Sequence, residues 1–196
     1  MHYSLGEYAA AQALWEESLL LTRQMGEQRG VAMALNNLAE LAFIQGDYGT
    51  GRALQEENLA LRREMGDKLG IANSLGNLAS AATFQADFAA ARPLFIESLT
   101  LGMEIEDKLG IAFLLSNMAE MGLAVGDMPR AANLAAAAET LLASISGVLP
   151  PDERSRQNKT IAITRDALGK PAFQSAWEAG QCLHIKAAVE LALKED

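Results

Sequence analysis

Three asparagines stand forty residues apart in this sequence: Asn37, Asn77 and Asn117. A carboxamide both donates and accepts hydrogen bonds, so three of them at one spacing could hold the backbone of an extended peptide. Residues in helical phase with them would share their face. These are Met33, Asn36, Glu40 and Phe43, then Asn73, Gly76, Ser80 and Thr83, then Phe113, Ser116, Glu120 and Leu123. Such a face is polar and mildly acidic at first and more apolar toward the third set. It lacks the lysines and arginines that a clamp for a C-terminal carboxylate needs. A second role stays open for the same asparagines, that of bonding a carbonyl on a neighbouring helix or loop.

Nothing else in the chain gathers reactive groups. The two histidines, His2 and His184, lie at opposite ends with no cysteine or carboxylate at metal-ligand spacing, so no metal site is expected. Cys182 and His184 are two residues apart, and side chains at that spacing do not face each other on a helix. Cys182 is therefore expected in the core or at its rim. Glu16-Glu17 and Glu56-Glu57 recur with the spacing described below and read as solvated positions rather than as an acid–base pair. There is no G-x-x-x-x-G-K-[ST] loop for nucleotide phosphates. The sequence predicts no enzyme and no cofactor.

Composition narrows the partners. The 196 residues carry a formal net charge of −9, while a duplex-binding surface must neutralise phosphates. Arg62 and Arg63 sit among Glu56, Glu57 and Glu64, which is a mixed-charge solvated helix face. Direct nucleic-acid binding is not expected. No apolar run reaches the roughly 20 residues of a membrane-spanning helix, and no signal-peptide pattern opens the chain. One cysteine cannot form an internal disulfide. These features predict a cytoplasmic chain without a membrane partner.

The elements that must position the asparagines follow from self-similarity. Residues 31–70 align without gaps on 71–110, with roughly 18 of the 40 positions identical. A third unit opens at Ile111, and residues 5–30 match the second half of a unit. Each unit reads as two helices, for example Tyr48 to Met65 and Lys68 to Phe84. Asp47, Asp67, Asp87 and Asp127 are placed as N-caps, and Gly66 is placed as a left-handed helix stop. Pro93, about six residues inside its helix, predicts a local bend. Leu35, Leu38, Leu54, Leu59 and Leu61 return as Leu75, Leu78, Leu94, Leu99 and Leu101. Small residues return as Ala39, Ala79 and Ala119, and as Ala11, Gly51, Ala91 and Ala131, so paired helices can approach closely. Trp15 and Phe95 fall at the packing position between helices and are expected in the core. Gln55 and Ala135 stand at that same place. No pair buries its apolar stripe alone, so stability requires stacking.

The phrases Asn37-Leu38-Ala39, Gly46-Asp47-Tyr48 and Gly51, with Asn77-Leu78-Ala79, Asp87-Phe88 and Ala91, resemble the tetratricopeptide repeat in a 40-residue form. The resemblance covers about residues 5–142. It implies an all-α fold, a right-handed α-α superhelix whose first helices line a concave protein- or peptide-binding face. The residues it points to are Asn36, Asn37, Glu40, Phe43, Asn73, Asn77, Ser80, Thr83, Phe113, Ser116, Asn117 and Glu120.

Both ends depart from the repeat. By phase, residues 1–30 form an incomplete first unit, so the chain is expected to be a fragment or late-start product that can form a homodimer through its uncovered N-terminal helix. Full units then span 31–70, 71–110 and 111–143. Residues 144–151 read as a linker, and 152–196 as a helical cap with helices near 152–168, 172–179 and 185–194. Phe173, Trp177, Leu183, Val189 and Leu191 would fold over the last repeat. Ala167-Leu168-Gly169, Phe173, Ala176-Trp177, Gly180 and Ala187 through Ala192 resemble the C-terminus of large bacterial regulators. Those proteins join a STAND-type ATPase to tetratricopeptide repeats, often with a LuxR-like or cyclase domain. This second resemblance implies a sensor or docking arm of a signalling or transcription regulator. The alternative is a structural or self-association arm whose face binds no specific ligand.

Overall fold

The computed structural model describes residues 5–194, in which ten helices and no strands occur. They are α1 (Leu5–Met25), α2 (Gln28–Ile44), α3 (Tyr48–Met65), α4 (Lys68–Phe84), α5 (Phe88–Glu104), α6 (Lys108–Val125), α7 (Met128–Ser144), α8 (Pro151–Leu168), α9 (Lys170–Gln181) and α10 (Ile185–Leu193). The all-α repeat architecture expected from the sequence is therefore present, with helices packed pairwise in chain order, consistent with a tetratricopeptide solenoid.

One turn device generates the hairpins. Every twenty residues from Gly26 to Ser146 the backbone enters the left-handed region, at positions 26, 46, 66, 86, 106, 126 and 146. Gly66 does this without steric cost at φ 66°. Ala86, Glu106 and Ser146 adopt the same conformation with a side chain in place, which costs about 1–2 kcal/mol each. From Gly26 to Gly126 the next residue is the N-cap of a helix. Asp47, Asp67, Asp87, Asp107 and Asp127 each accept the N–H three residues on, at 3.0–3.1 Å. Each such cap contributes about 1 kcal/mol. Glu27 holds the corresponding place before α2 but makes no side-chain cap.

The chain divides into two compact units, residues 1–94 and 95–196. The division falls within α5, which runs as one helix from Phe88 to Glu104 with Pro93 inside it. In the first unit α1 packs on α2, α2 on α3, and α3 on α4. Leu35 and Leu75 are fully buried, as are Ala39 and Ala79. The small residues set the spacing. A Cβ on Gly51 would lie 2.5 Å from the Phe43 ring and 3.1 Å from the Ala39 carbonyl oxygen, so α3 meets α2 nearly backbone to backbone. Trp15 is half-buried, because α1 has a neighbour on one side.

In the second unit α7 is the hub, touched by α6, α8, α9 and α10. Its sequence explains this role. Ala131, Ala132, Leu134, the run Ala135 to Ala138, Leu141 and Leu142 are all buried, and a helix apolar on every side must be surrounded. Phe95, expected in the core, is fully buried. The 18 residues of α6 have a mean hydropathy of 1.3, enough by length and composition to cross a membrane. Packing accounts for that composition, since 56% of the segment is buried and its apolar residues meet α7.

The segment expected as a linker is a turn of residues 145–150, and α8 opens at Pro151. Ser146 repeats the left-handed conformation of Glu106 forty residues earlier. Helix α8 then lies against α7 and α6, the place a further first helix would take. The tail departs from the repeat at α9, which packs chiefly on α7 rather than back along α8. Phe173 and Val189 are buried there, while Trp177, Leu183 and Leu191 are half-buried. Arg130 closes the arrangement by donating to the carbonyls of Ala192 and Lys194, at 2.8 and 2.7 Å, at the end of α10.

The tightest contact of the tail is at Gly180, where an added Cβ would lie 2.3 Å from the Asn133 carbonyl oxygen and 2.8 Å from its Cα. Backbone cannot yield as a flexible side chain does. Gly180→Ala should therefore lower the unfolding free energy by about 1–3 kcal/mol, measured by urea denaturation. An unchanged midpoint would mean that α9 does not sit on α7 as described.

Candidate partner-binding face

The first-helix stripe of the first unit is built on α2 and α4. On α2, Arg29, Met33, Glu40 and Ile44 are exposed, and Asn36, Asn37 and Phe43 are half-buried. On α4, Leu69, Asn73 and Phe84 are exposed, Asn77 and Ser80 half-buried, and Thr83 buried with its hydroxyl donating to the Ala79 carbonyl at 2.9 Å. These positions recur every three or four residues and so share one side of each helix. The surface has polar groups along its middle and apolar groups, Met33, Ile44, Leu69 and Phe84, toward its ends.

The asparagines are joined to one another. Asn36 Oδ1 accepts Asn77 Nδ2 at 3.3 Å and Gln55 Nε2 at 3.4 Å, which ties α2, α3 and α4 together. Gln55 is fully buried, and its Oε1 has no hydrogen-bond partner among the described residues. This glutamine stands where the packing position elsewhere carries Phe95, and it extends a polar thread from the core to the face. A second thread runs beneath it. Asn58 donates to Ser74 Oγ at 3.1 Å and accepts from Arg62 Nε at 3.3 Å, and Arg62 pairs with Asp67. The neighbour-bonding role left open in the sequence is thus filled for Asn77, by another carboxamide rather than by a carbonyl. Asn36 Nδ2 and Asn77 Oδ1 keep bonding capacity.

The third set of expected residues has a different setting. On α6 Phe113 is half-buried, whereas Ser116 and Asn117 are only 7% and 4% exposed. Glu120 meets Arg156 of α8 at 3.5 Å, and Arg156 also pairs with Glu153. Arg154 pairs with Glu139 of α7. Gln157 falls forty residues after Asn117 and is buried with Thr160 and Thr164 on one side of α8. Around α6, then, the stripe is largely covered by the chain itself. Three expected site residues, Ser116, Asn117 and Glu120, are thereby turned inward or engaged, and Thr83 on α4 is buried in its own unit. Helical phase puts these residues on one side of α6, but it contains no term for which neighbour closes over which helix.

Missed in the sequence were Ile44, Leu69 and Phe84. The signal for Leu69 was present, since Leu69 and Leu109 recur at the first turn of α4 and α6 and both are exposed. Cys182, expected in the core or at its rim, is exposed. His184 is exposed as well.

With this geometry in view, comparison with known families gives a single finding. Residues 30–102 match the family model of the tetratricopeptide repeat. Over those residues the chain is similar to tetratricopeptide repeats. The matched stretch includes α3, α4 and all but the first two residues of α2, the three helices that the carboxamides join. Tetratricopeptide repeats are generally protein–protein interaction modules and typically non-catalytic. No curated protein matches the chain.

The carboxylates of the two units respond oppositely to their surroundings. The Gly70 N–H, assisted by the Arg62 guanidinium, holds the Asp67 carboxyl below its usual range. Burial pushes the Glu120 carboxyl up, against the pull of Arg156. The depressed group stabilises the fold above its unfolded value of 3.8, and that contribution is lost as pH falls through the lower folded value. The raised group's contribution is present below 4.5 and is lost as pH rises through the folded value. Urea unfolding across the acid range should therefore show Asp67→Ala costing about 1 kcal/mol near neutrality and progressively less toward low pH. Glu120→Gln should gain on the parent chain as pH rises. Parallel pH profiles for both variants and the parent would contradict these assignments.

Proposed function

We propose that this chain is a protein- or peptide-binding module without catalytic activity, and that its partner lies on the α2–α4 face. The observation carrying the reading is the bridge from Asn36 to Asn77 across adjacent hairpins. It fixes two carboxamides side by side with a donor and an acceptor to spare, the complement of a backbone C=O and N–H in an extended peptide. Asn37, Asn73 and Ser80 add further polar groups, and Met33, Ile44, Leu69 and Phe84 supply apolar ends where partner side chains would lose water. Phe113, Ser116, Asn117 and Glu120 contribute little under this reading, since α6 is covered.

The wider setting we infer is that of a cytoplasmic sensor or docking arm in a larger bacterial signalling or transcription regulator, with neither direct nucleic-acid nor membrane binding. Its support is the likeness of residues 152–193 to the ends of such regulators and the net charge of −9. A second reading, self-association, is favoured by one observation. Helix α1 exposes Leu14 (66%), Leu21 and Met25 (76%) on one side, an apolar stripe that a second copy of the chain would cover.

Peptides selected on the immobilised chain and measured by isothermal titration calorimetry should bind at least about tenfold more weakly to Asn77→Ala and to Asn37→Ala. Substituting Leu14 and Met25 with Glu should leave that affinity unchanged. The opposite pattern, with binding indifferent to the asparagines and a dimer abolished by the α1 changes in light scattering, would replace the first reading with the second.

A further inference from the structure

The corner between α8 and α9 holds a feature that the partner-binding face does not explain. At Gly169, φ 73° and ψ 159°, the chain turns sharply, and α9 leaves to pack on α7. The two helices diverge, and an open cleft of about 790 Å³ lies between the end of α8 and one stripe of α9. Its floor is aromatic. Phe173 and Trp177, one helical turn apart, stack with ring centroids 5.4 Å apart and an interplanar angle of 26°. The Arg165 guanidinium lies 5.0 Å from the centre of the Phe173 ring. This cation–π contact holds a planar, multiply donating cation at the wall of the cleft. Lys170 lines the cleft as a second cation, and Gln174 and Gln181 add neutral polar groups. Asp166 is the single carboxylate in the lining, so the cleft is net cationic in a chain of net charge −9.

We propose that this cleft is a second binding site, and that its ligand is a carboxylate carried on an apolar, preferably flat, body. The flat body would lie on Trp177, the more open ring of the pair since Phe173 is buried against it, and aromatic stacking there adds to burial. The carboxylate would take paired N–H donors from Arg165 and charge from Lys170. The volume suits a ligand of a few tens of atoms or fewer. Two sources share this chemistry, a free aromatic acid and an acidic side chain beside an aromatic residue in a peptide. The site lies within the second unit and is independent of the α2–α4 face.

Trp177 reports on the cleft directly, because Trp15 is the only other tryptophan. The full chain carrying Trp15→Phe is titrated with 3-phenylpropanoate, with its neutral isostere 3-phenylpropanamide, and with the peptide acetyl-Phe-Glu-amide. Calorimetry on the unsubstituted chain runs in parallel, so that a folding defect in the variant cannot decide the result. The expected outcome is a saturable change in Trp177 emission with the carboxylates, at least about tenfold weaker for the amide. That response should be lost in Arg165→Gln and weakened in Lys170→Gln, with helicity unchanged. Tighter binding of the peptide would assign the source as a protein segment, and tighter binding of the free acid a metabolite. No saturation in either assay by about 10 mM carboxylate, or equal responses to acid and amide, would overturn the proposal.

Discussion

Close approach of paired helices is the constraint on which the rest depends. Where α2 and α3 cross, Gly51 faces the Phe43 ring and the Ala39 carbonyl with no room for a methyl group. In the second unit Gly122 lies against Ala131 less tightly, with an ideal Cβ on the glycine in ordinary van der Waals contact at 3.5 Å from the alanine Cα. Dispersion between such surfaces falls away steeply with separation, so small residues here contribute more than their own buried area. They bring the leucines of neighbouring hairpins into contact and fix where the outer side of each first helix points. The carboxamide bridge between Asn36 and Asn77 is a consequence of that spacing, since 3.3 Å between two short side chains requires their helices to be close.

The left-handed residue and aspartate cap every twenty residues act on a different level. They bend the chain but do not choose its partners. Three of the seven left-handed positions carry a side chain, so packing at the crossings evidently outweighs a local cost of about 1–2 kcal/mol at Ala86, Glu106 and Ser146. The second unit shows the same priority. Helix α8 buries Gln157, Thr160 and Thr164 and leaves Gln157 Nε2 and Thr164 Oγ1 without a hydrogen-bond partner among the described residues, yet it keeps its place beside α6 and α7. Ion pairs from Arg154 and Arg156 to Glu139 and Glu120 offset part of that cost.

Much of this architecture was legible from local rules. The boundaries Tyr48–Met65 and Lys68–Phe84 follow from Asp47, Asp67 and Gly66, because capping is decided by a few neighbouring residues. The stripe on α2 and α4 was legible for the same reason, as helical phase alone puts Asn36, Asn37 and Glu40 together. The covering of Ser116, Asn117 and Glu120 was not legible, because it depends on α8 arriving from some forty residues downstream. Nor was the turn of α9 away from α8, which depends on whether Gly180 can touch the α7 backbone. Gln55 lies between these cases. Its oddness at a packing position was visible, but its bond to Asn36 emerges only once α2 and α3 are paired.

Two glycines on α3 allow the central claim to be tested within a single helix. Gly51 sits at the crossing, while Gly49, two residues earlier, is exposed and has only the Asp47 carboxylate near its missing Cβ, at 3.7 Å. The unfolding free energies of Gly51→Leu and Gly49→Leu should differ in sign. The first should fall by about 1–3 kcal/mol or more through overpacking, and the second should rise by about 0.5–1 kcal/mol as a better helix former replaces glycine. Equal effects at the two positions, or a gain at Gly51, would mean that close approach at the crossing does not hold the repeats together.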